Sequence, residues 1–314
     1  MTRAYGLHMD CAFPIYGVAE RRAEPPGRPV PSTRVEMGVG DVPRTAWTEI
    51  LTRRAPDGRR IASIDHHPVA GYRMSAEGWG VFDLAADGSR VTCAPADGLE
   101  PWLFHRFLTG QVLPLAALLG GYEIFHASGV GLDGRVIGLA GTCGAGKTSV
   151  ALNLVLRGAS FFSDDVLALD PDPSALLCHP GPAAANVRDG RLRALAQAGV
   201  PPFRGVAGAS AASLRALVER EEQPLPLGAL YFFDHGGDGE IAFEPSCDPF
   251  VLIGHTFNVV IRTPVRLSAQ LDACARVAAA RLMFRVRVPR AMDAADLAES
   301  IEEHARSAVA ATAA

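Results

Sequence analysis

The chain has 314 residues, of which 48% are hydrophobic and 20% are charged, and its formal net charge at pH 7 is -4. This composition excludes a globally disordered chain, and the acidic balance argues against a nucleic-acid partner, because phosphate contacts usually need a basic surface. No apolar run approaches the roughly 18 residues that span a bilayer, and the first residues lack the apolar core of a signal peptide, so we expect a cytoplasmic protein with no membrane partner.

Residues 1–118 are predicted to form a β-rich N-terminal domain that ends in a connecting helix. The segments Val81–Leu84 and Arg90–Cys93 flank an Ala-Asp-Gly-Ser turn, a pattern typical of a β-hairpin. Apolar residues at helical spacing between 101 and 120 predict one helix, or two short ones interrupted at Pro114.

Residues 119–314 are predicted to form a second domain of the α/β class, because strands and helices alternate along it. A strand at 122–130 is followed by a turn at Asp133-Gly134, a buried strand at 136–140 and a helix at 147–157. The predictions beyond it are a strand at 160–163, loops at 171–188 and 199–210, strands at 227–234 and 283–288, and helices at 249–254, 266–282 and 294–308.

The run Gly141–Thr148 matches G-x-x-x-x-G-K-[ST], the P-loop motif that cradles phosphates. Lys147 is the only lysine of the chain, and its compact ammonium suits a tight loop in which the planar fork of arginine would not fit. The motif therefore predicts ATP binding, with the Thr148 hydroxyl on Mg²⁺. The predicted nucleotide-binding residues are Gly141, Thr142, Cys143, Gly144, Ala145, Gly146, Lys147, Thr148 and Ser149.

Two adjacent carboxylates, Asp164 and Asp165, follow the next predicted strand. A helix of about 11 residues and one short strand fill the interval after Lys147, so both carboxylates are expected at the carboxyl edge of the sheet, where open α/β folds bind ligands. One of them can hold Mg²⁺ and the other can accept a proton from an attacking hydroxyl. An acidic turn on a solvated edge is the alternative.

His126 and Arg188 are weaker candidates. The Asp133-Gly134 turn predicts that the strand of His126 lies beside the strand that leads into the P-loop, which would bring the imidazole towards the phosphates. Arg188 could supply positive charge to a transferred phosphoryl group. A structural histidine and a solvated arginine are the alternatives.

Four stretches together resemble the HPr kinase/phosphorylase family, and more closely the stand-alone HPr-kinase-like proteins found beside bacterial natural-product genes, such as lasso-peptide tailoring kinases. They are residues 125–130, 141–148, 157–158 and 163–169. The resemblance implies a P-loop kinase domain related to phosphoenolpyruvate carboxykinase, which transfers phosphate from ATP to a hydroxyl, often of serine. By position it implies that Asp164 is the catalytic base, that Asp165 lies near the metal, and that His126 lies in the same pocket.

The chain departs from the family in one motif. The glycine- and acid-rich signature that follows the aspartate pair in HPr kinases is missing, and its nearest counterpart, residues 187–191, lacks the glutamate. We therefore expect a biosynthetic kinase for a peptide serine or a small-molecule alcohol, rather than for HPr. A P-loop ATPase or nucleotide-dependent switch, and a nucleotide sensor without a phosphoacceptor, are the alternatives. Members of the family often form oligomers, so a homo-oligomer is left open.

Overall fold

The structure is a computed structural model that describes residues 2–18, 32–40, 42–170, 172, 175–237, 239–258 and 260–313. The chain divides into two compact units, one of Met1–Tyr122 with Asn258–Arg262 and one of Glu123–Phe257 with Thr263–Ala314. The division into domains at 1–118 and 119–314 stays a prediction. The compact units change at residue 122, and residues 258–262 belong to the first of them.

The first unit contains an eight-stranded sheet in the order β1-β2-β3-β8-β7-β6-β5-β4, counted over the described residues. Its strands are β1 (Thr2–Ala4), β2 (Leu7–Cys11), β3 (Ser32–Met37), β4 (Thr48–Arg54), β5 (Arg60–His67), β6 (Gly71–Ala76), β7 (Gly80–Leu84) and β8 (Arg90–Pro95). A 3₁₀ turn (Arg44–Ala46), α1 (Pro101–Phe107), a π-helical turn (Leu108–Val112) and α2 (Leu113–Leu119) complete it.

The predicted hairpin in this unit is present. Phe82 of β7 lies opposite Cys93 of β8, and Leu84 lies opposite Val91; all four side chains are fully buried, because alternate residues of a strand face one side of the sheet. Two short helices, α1 and α2, are present, which is one of the two predicted forms. The interruption is the π-helical turn Leu108–Val112, which lies just before Pro114 rather than at it, and Pro114 is in the first turn of α2.

The second unit is a mixed α/β arrangement. Its strands are β9 (Glu123–Phe125), β10 (Ala127–Leu132), β11 (Arg135–Ala140), β12 (Ser160–Ser163), β13 (Leu167–Leu169), β14 (Leu177–His179), β15 (Ala184–Val187), β16 (Phe203–Ala209), β17 (Leu214–Val218), β18 (Leu225–Gly237), β19 (Ala242–Ser246) and β20 (Met283–Pro289). Its helices are α3 (Lys147–Leu156), α4 (Gly190–Gln197), α5 (Pro249–Ile253), α6 (Pro264–Ala279) and α7 (Ala294–Ala313).

The central sheet of this unit brings the carboxyl ends of two strands to one edge. β11 runs parallel to β18, and β18 runs parallel to β20. β10 pairs antiparallel with both β11 and β12, so β11 and β12 point the same way, and the residues that follow them leave the sheet at the same edge. The start of β10 lies at that edge too, since Ala127 is opposite Ala140.

Both faces of the central sheet are buried. Ile137 and Leu139 of β11 pack in a cluster with Val150 of α3 and Ile301 of α7. Val136 and Ala140 point the other way, into a second cluster that includes residues of α6. This double burial explains the nearly continuous apolar run of β11 and fixes the strand that leads into the loop before α3.

The loops predicted at 171–188 and 199–210 are partly wrong. β14 and β15 lie within the first, and β16 lies within the second. β15, β17 and β16 form a separate three-stranded sheet. Proline, alanine and glycine are poor strand formers by themselves, and here antiparallel pairing with β17 holds β15 and β16 extended.

Candidate active site

The loop at 141–146 connects β11 to α3, in the strand–loop–helix order that the motif requires. Gly144 and Gly146 adopt left-handed backbone angles, with φ of 86° and 80°, a region in which residues with a Cβ are strained. Gly146 is also the N-cap of α3. The free N–H groups at the start of that helix carry partial positive charge, which favours a phosphate at this position.

Lys147 lies under this loop and is only 5% exposed. Its Nζ donates hydrogen bonds to the carbonyl oxygens of Gly141 at 2.9 Å and Thr142 at 3.1 Å. Burial lowers the pKa of the ammonium, and the negative charge of Asp165 opposes that shift. The side chain is thus held in the loop by two carbonyls, and a phosphate oxygen would offer the ammonium a charged acceptor in their place.

His126 links the lysine to the aspartate pair. Its Nδ1 lies 3.0 Å from the carbonyl oxygen of Asp165, and a carbonyl only accepts, so Nδ1 carries the proton. Burial, and then the charge of Lys147, lower the pKa of the imidazole. The ring is therefore neutral at pH 7, and its Nε2 presents a lone pair to the Lys147 Nζ at 3.4 Å.

The strand predicted at 122–130 is interrupted at His126, which separates β9 from β10. There the backbone N–H of His126 donates to the carbonyl of His255 at 2.7 Å. Burial lowers the pKa of the His255 imidazole most, and the charges of His126 and then Lys147 lower it further. His255 thus belongs to the same group of side chains, although its position after α5 gave no signal in the sequence.

Asp164 is buried and accepts three hydrogen bonds. Its Oδ1 accepts from the Thr148 hydroxyl at 2.6 Å and from the Ser128 hydroxyl at 3.2 Å, and its Oδ2 accepts from the backbone N–H of Asn186 at 2.8 Å. Burial, and next the charge of Asp165, raise its pKa to about 6, against the lowering effect of the bonds from Thr148 and Asn186. A carboxyl group with a pKa near neutral is suited to exchange a proton.

Asp165 is held in a left-handed backbone conformation with φ of 62°, which is uncommon for a residue other than glycine. Its N–H donates to the Ser128 hydroxyl at 3.3 Å. The predicted metal ligands Thr148 and Asp165 are not hydrogen-bonded to each other; Thr148 is bonded to Asp164. Of the two adjacent carboxylates, Asp164 is therefore the one that contacts the Thr148 hydroxyl.

The donor set fits Mg²⁺ only together with a phosphate. No cluster of three or more His, Cys, Asp or Glu side chains suitable for a metal occurs among the described residues. Mg²⁺ typically takes one or two protein oxygens and completes its shell with water and substrate phosphates. The Thr148 hydroxyl, bonded to the buried Asp164 carboxylate beside the loop at 141–146, provides such a partial set.

The structure does not bring Arg188 together with these residues. Arg188 is exposed and has no hydrogen bond or ion pair with any other described residue. Arg215 of β17 is buried, lies opposite Asn186 in the ladder, and its charge lowers the pKa of Asp164. Arg215 thus adds a positive charge that acts on Asp164, and no sequence motif marked it.

The other predicted loop residues have simpler surroundings. Thr142, Cys143 and Gly144 are exposed at the tip of the loop, and Ala145 is buried. The carbonyl oxygen of Ser149 accepts from the Asn153 amide at 2.8 Å. His235 is exposed and contacts the loop, with its Nε2 at 3.0 Å from the Ala145 carbonyl oxygen.

No helix in the described part of the chain is both long and apolar enough to cross a membrane. No protein-family model and no curated protein matches the chain in sequence. Among solved structures, the HPr(Ser) kinase/phosphatase from Coxiella burnetii is similar with a TM-score of 0.32 and 12% sequence identity, over 61% of this chain and 99% of that chain. A similarity at this level carries no functional argument, and the geometry of the site has to supply it.

Proposed function

We propose that the chain is an ATP-dependent kinase that transfers the γ-phosphoryl group to a hydroxyl, either of a peptide serine or of a small-molecule alcohol, in a biosynthetic pathway. One observation carries the proposal: the P-loop threonine donates a 2.6 Å hydrogen bond to Asp164, a buried carboxylate whose pKa is raised to about 6. The resemblance of the sequence motifs to HPr kinases supports the same class of reaction.

Binding of the nucleotide would use the loop and the lysine. Backbone N–H groups at the start of α3 bind phosphate oxygens, and the Lys147 ammonium exchanges its two carbonyl acceptors for the phosphates. The neutral His126 ring accepts from Lys147 through Nε2, and it directs the ammonium without adding a competing positive charge. Mg²⁺, when bound, neutralises negative charge on the phosphates.

Proton transfer is assigned to Asp164. The Thr148 hydroxyl donates to Oδ1 of this carboxylate. If the hydroxyl held Mg²⁺ instead, Oδ1 would be free to accept the proton of the acceptor hydroxyl. Asn186 and Ser128 would continue to hold the carboxylate in place. Asp165 is assigned to the metal, and Arg215 to a positioning role through its charge.

The test is incubation with γ-labelled ATP, Mg²⁺ and two sets of acceptors, serine-containing peptides and small alcohols. The wild-type chain should label an acceptor, and Asp164→Asn should lose transfer by at least about a hundredfold while it still binds nucleotide. The exposed Asp272→Asn is the matched control and should behave as wild type. Undiminished transfer by Asp164→Asn would remove this residue as the base.

The same assay separates the alternatives. Release of free phosphate with no labelled acceptor would indicate an ATPase or switch, and nucleotide binding without either product would indicate a sensor. If Asp165→Asn loses transfer at saturating Mg²⁺ while Asp164→Asn is rescued by additional Mg²⁺, the two aspartates have exchanged the roles proposed here.

A further inference from the structure

The eight-stranded sheet of the first unit carries a cavity of about 450 Å³ that the proposed phosphoryl transfer does not use. It is lined by residues of β4, β5 and β6, by Glu77 and Trp79 in the turn before β7, and by Phe107 and Gln111. The volume lies within the range of about 300–1,000 Å³ that is common for small-molecule sites.

The cavity has an apolar wall. Ile61, Ile64 and Met74 from the sheet line it together with Trp79 and Phe107. The Trp79 and Phe107 rings are stacked, with centroids 5.1 Å apart and an interplanar angle of 28°. Flat aromatic surfaces of this kind bind the body of an aromatic or branched aliphatic ligand through burial of apolar area.

One positive charge on this wall has no partner among the described residues. Leu51 and Arg53 of the edge strand β4 both line the cavity, as residues two apart on a strand share a face. The next residue, Arg54, pairs with Glu49 and with the carbonyl of Gly58. Arg53 makes no ion pair or hydrogen bond within the described part of the chain, so its guanidinium is available to a ligand.

Other polar residues also line the cavity. Gln111 lines it and makes no hydrogen bond to another described residue, while the Glu77 carboxylate of the lining is paired with Arg59. Gln111 lies in the π-helical turn Leu108–Val112, and π-helical turns within helices occur frequently at functional sites. An apolar wall with a few unsatisfied polar groups is the usual composition of a ligand pocket.

We propose that this cavity binds a small organic acid, with its aromatic or branched aliphatic body against Trp79 and Phe107 and its carboxylate beside Arg53. A guanidinium prefers a carboxylate because two N–H groups can donate in parallel to its two oxygens. The site lies within the first unit and is independent of the kinase function proposed for the second.

The probes are 4-phenylbutyrate and its neutral amide, titrated calorimetrically into the full chain. We expect the acid to bind about fivefold more tightly than the amide, as one partly exposed ion pair of about 1 kcal/mol would give. Arg53→Gln should abolish that preference by weakening only the acid, and Arg54→Gln, the adjacent control, should preserve it. Both substitutions are at exposed positions, where folding is little affected.

A second measurement tests whether the ligand lies against Trp79. Both probes should alter tryptophan emission, and the change should be lost in Trp79→Phe. Equal affinity of acid and amide for the wild-type chain, a preference that persists in Arg53→Gln, an emission change that persists in Trp79→Phe, or no binding of either probe at millimolar concentration would each overturn the proposal.

Discussion

Replacement of Asp164 by asparagine should make the second unit more resistant to unfolding as the pH rises. The folded chain raises the pKa of this carboxyl from 3.8 to about 6, so the folded state holds the proton more tightly than the unfolded chain does. Well below pH 3.8 the carboxyl group is protonated in both states, and its ionisation does not change the free energy of unfolding. Between about pH 4 and about pH 6 the unfolded chain ionises first, and the folded state loses stability.

The size of this loss follows from the two pKa values. One pKa unit corresponds to about 1.4 kcal/mol, so the carboxyl at Asp164 should lower the free energy of unfolding by about 3 kcal/mol between about pH 4 and about pH 7. The asparagine side chain of the variant does not titrate, and it retains an oxygen that can accept the bond from Thr148 or Asn186. The wild-type chain should therefore lose stability relative to Asp164→Asn across this window.

The assay is urea denaturation in EDTA at intervals between pH 4.5 and pH 7.5, with the difference between variant and wild type taken at each pH so that other titrating groups cancel. The exposed Asp272→Asn should show no pH-dependent difference. Asp165→Asn should show a smaller pH-dependent difference from wild type than Asp164→Asn does, because the charge of Asp165 is only the second cause of the raised pKa of Asp164. Parallel pH profiles for wild type and Asp164→Asn would refute the assignment of a buried carboxyl group with a raised pKa.

Three shorter predictions concern the loop and its neighbours. Thr148→Val should raise the Mg²⁺ concentration needed for nucleotide binding by about tenfold, while Thr148→Ser should not; equal Mg²⁺ dependence of the two variants would exclude the hydroxyl as a metal ligand. In a proton NMR titration the pKa of His126 should lie below 6.5 and should rise in Lys147→Met, because the ammonium is the second cause of its lowering. An unchanged pKa would show that the Lys147 charge does not act on the imidazole. Gly146→Ala should lower the free energy of unfolding by about 1–2 kcal/mol, since its φ of 80° is left-handed, whereas Gly190→Ala at the start of α4, where an added Cβ meets nothing within 4 Å, should not; equal effects on thermal unfolding would argue against strain at the loop.

Local features of the site were predictable from the sequence. The Asp133-Gly134 turn implied that β10 pairs with β11, and the two strands are antiparallel neighbours joined at that turn, because both residues tolerate the positive φ that a tight hairpin needs. The same local reasoning placed the strand before the loop at 141–146 and the helix after it. His126 consequently lies beside the loop, as predicted, with its Nε2 at 3.4 Å from Lys147.

Contacts between distant segments were not predictable. Arg215 influences Asp164 because β17 pairs with β15, and that pairing depends on a three-stranded sheet whose glycine- and alanine-rich strand β16 has no apolar alternation. Arg188 had only a local signal, its position after a predicted loop. The sequence likewise did not indicate which of the two adjacent aspartates accepts the hydrogen bond from Thr148, because both follow the same strand.

Nucleotide binding at the loop can be tested on a single side chain. Lys147 is the only lysine, so reductive methylation followed by mass spectrometry reports on one internal amine, separate from the N-terminus. Mg-ATP should protect Lys147 from methylation, and AMP, which lacks the β- and γ-phosphates, should not. Equal methylation of Lys147 with Mg-ATP, with AMP and without nucleotide would contradict a triphosphate site at this loop and the kinase function that depends on it.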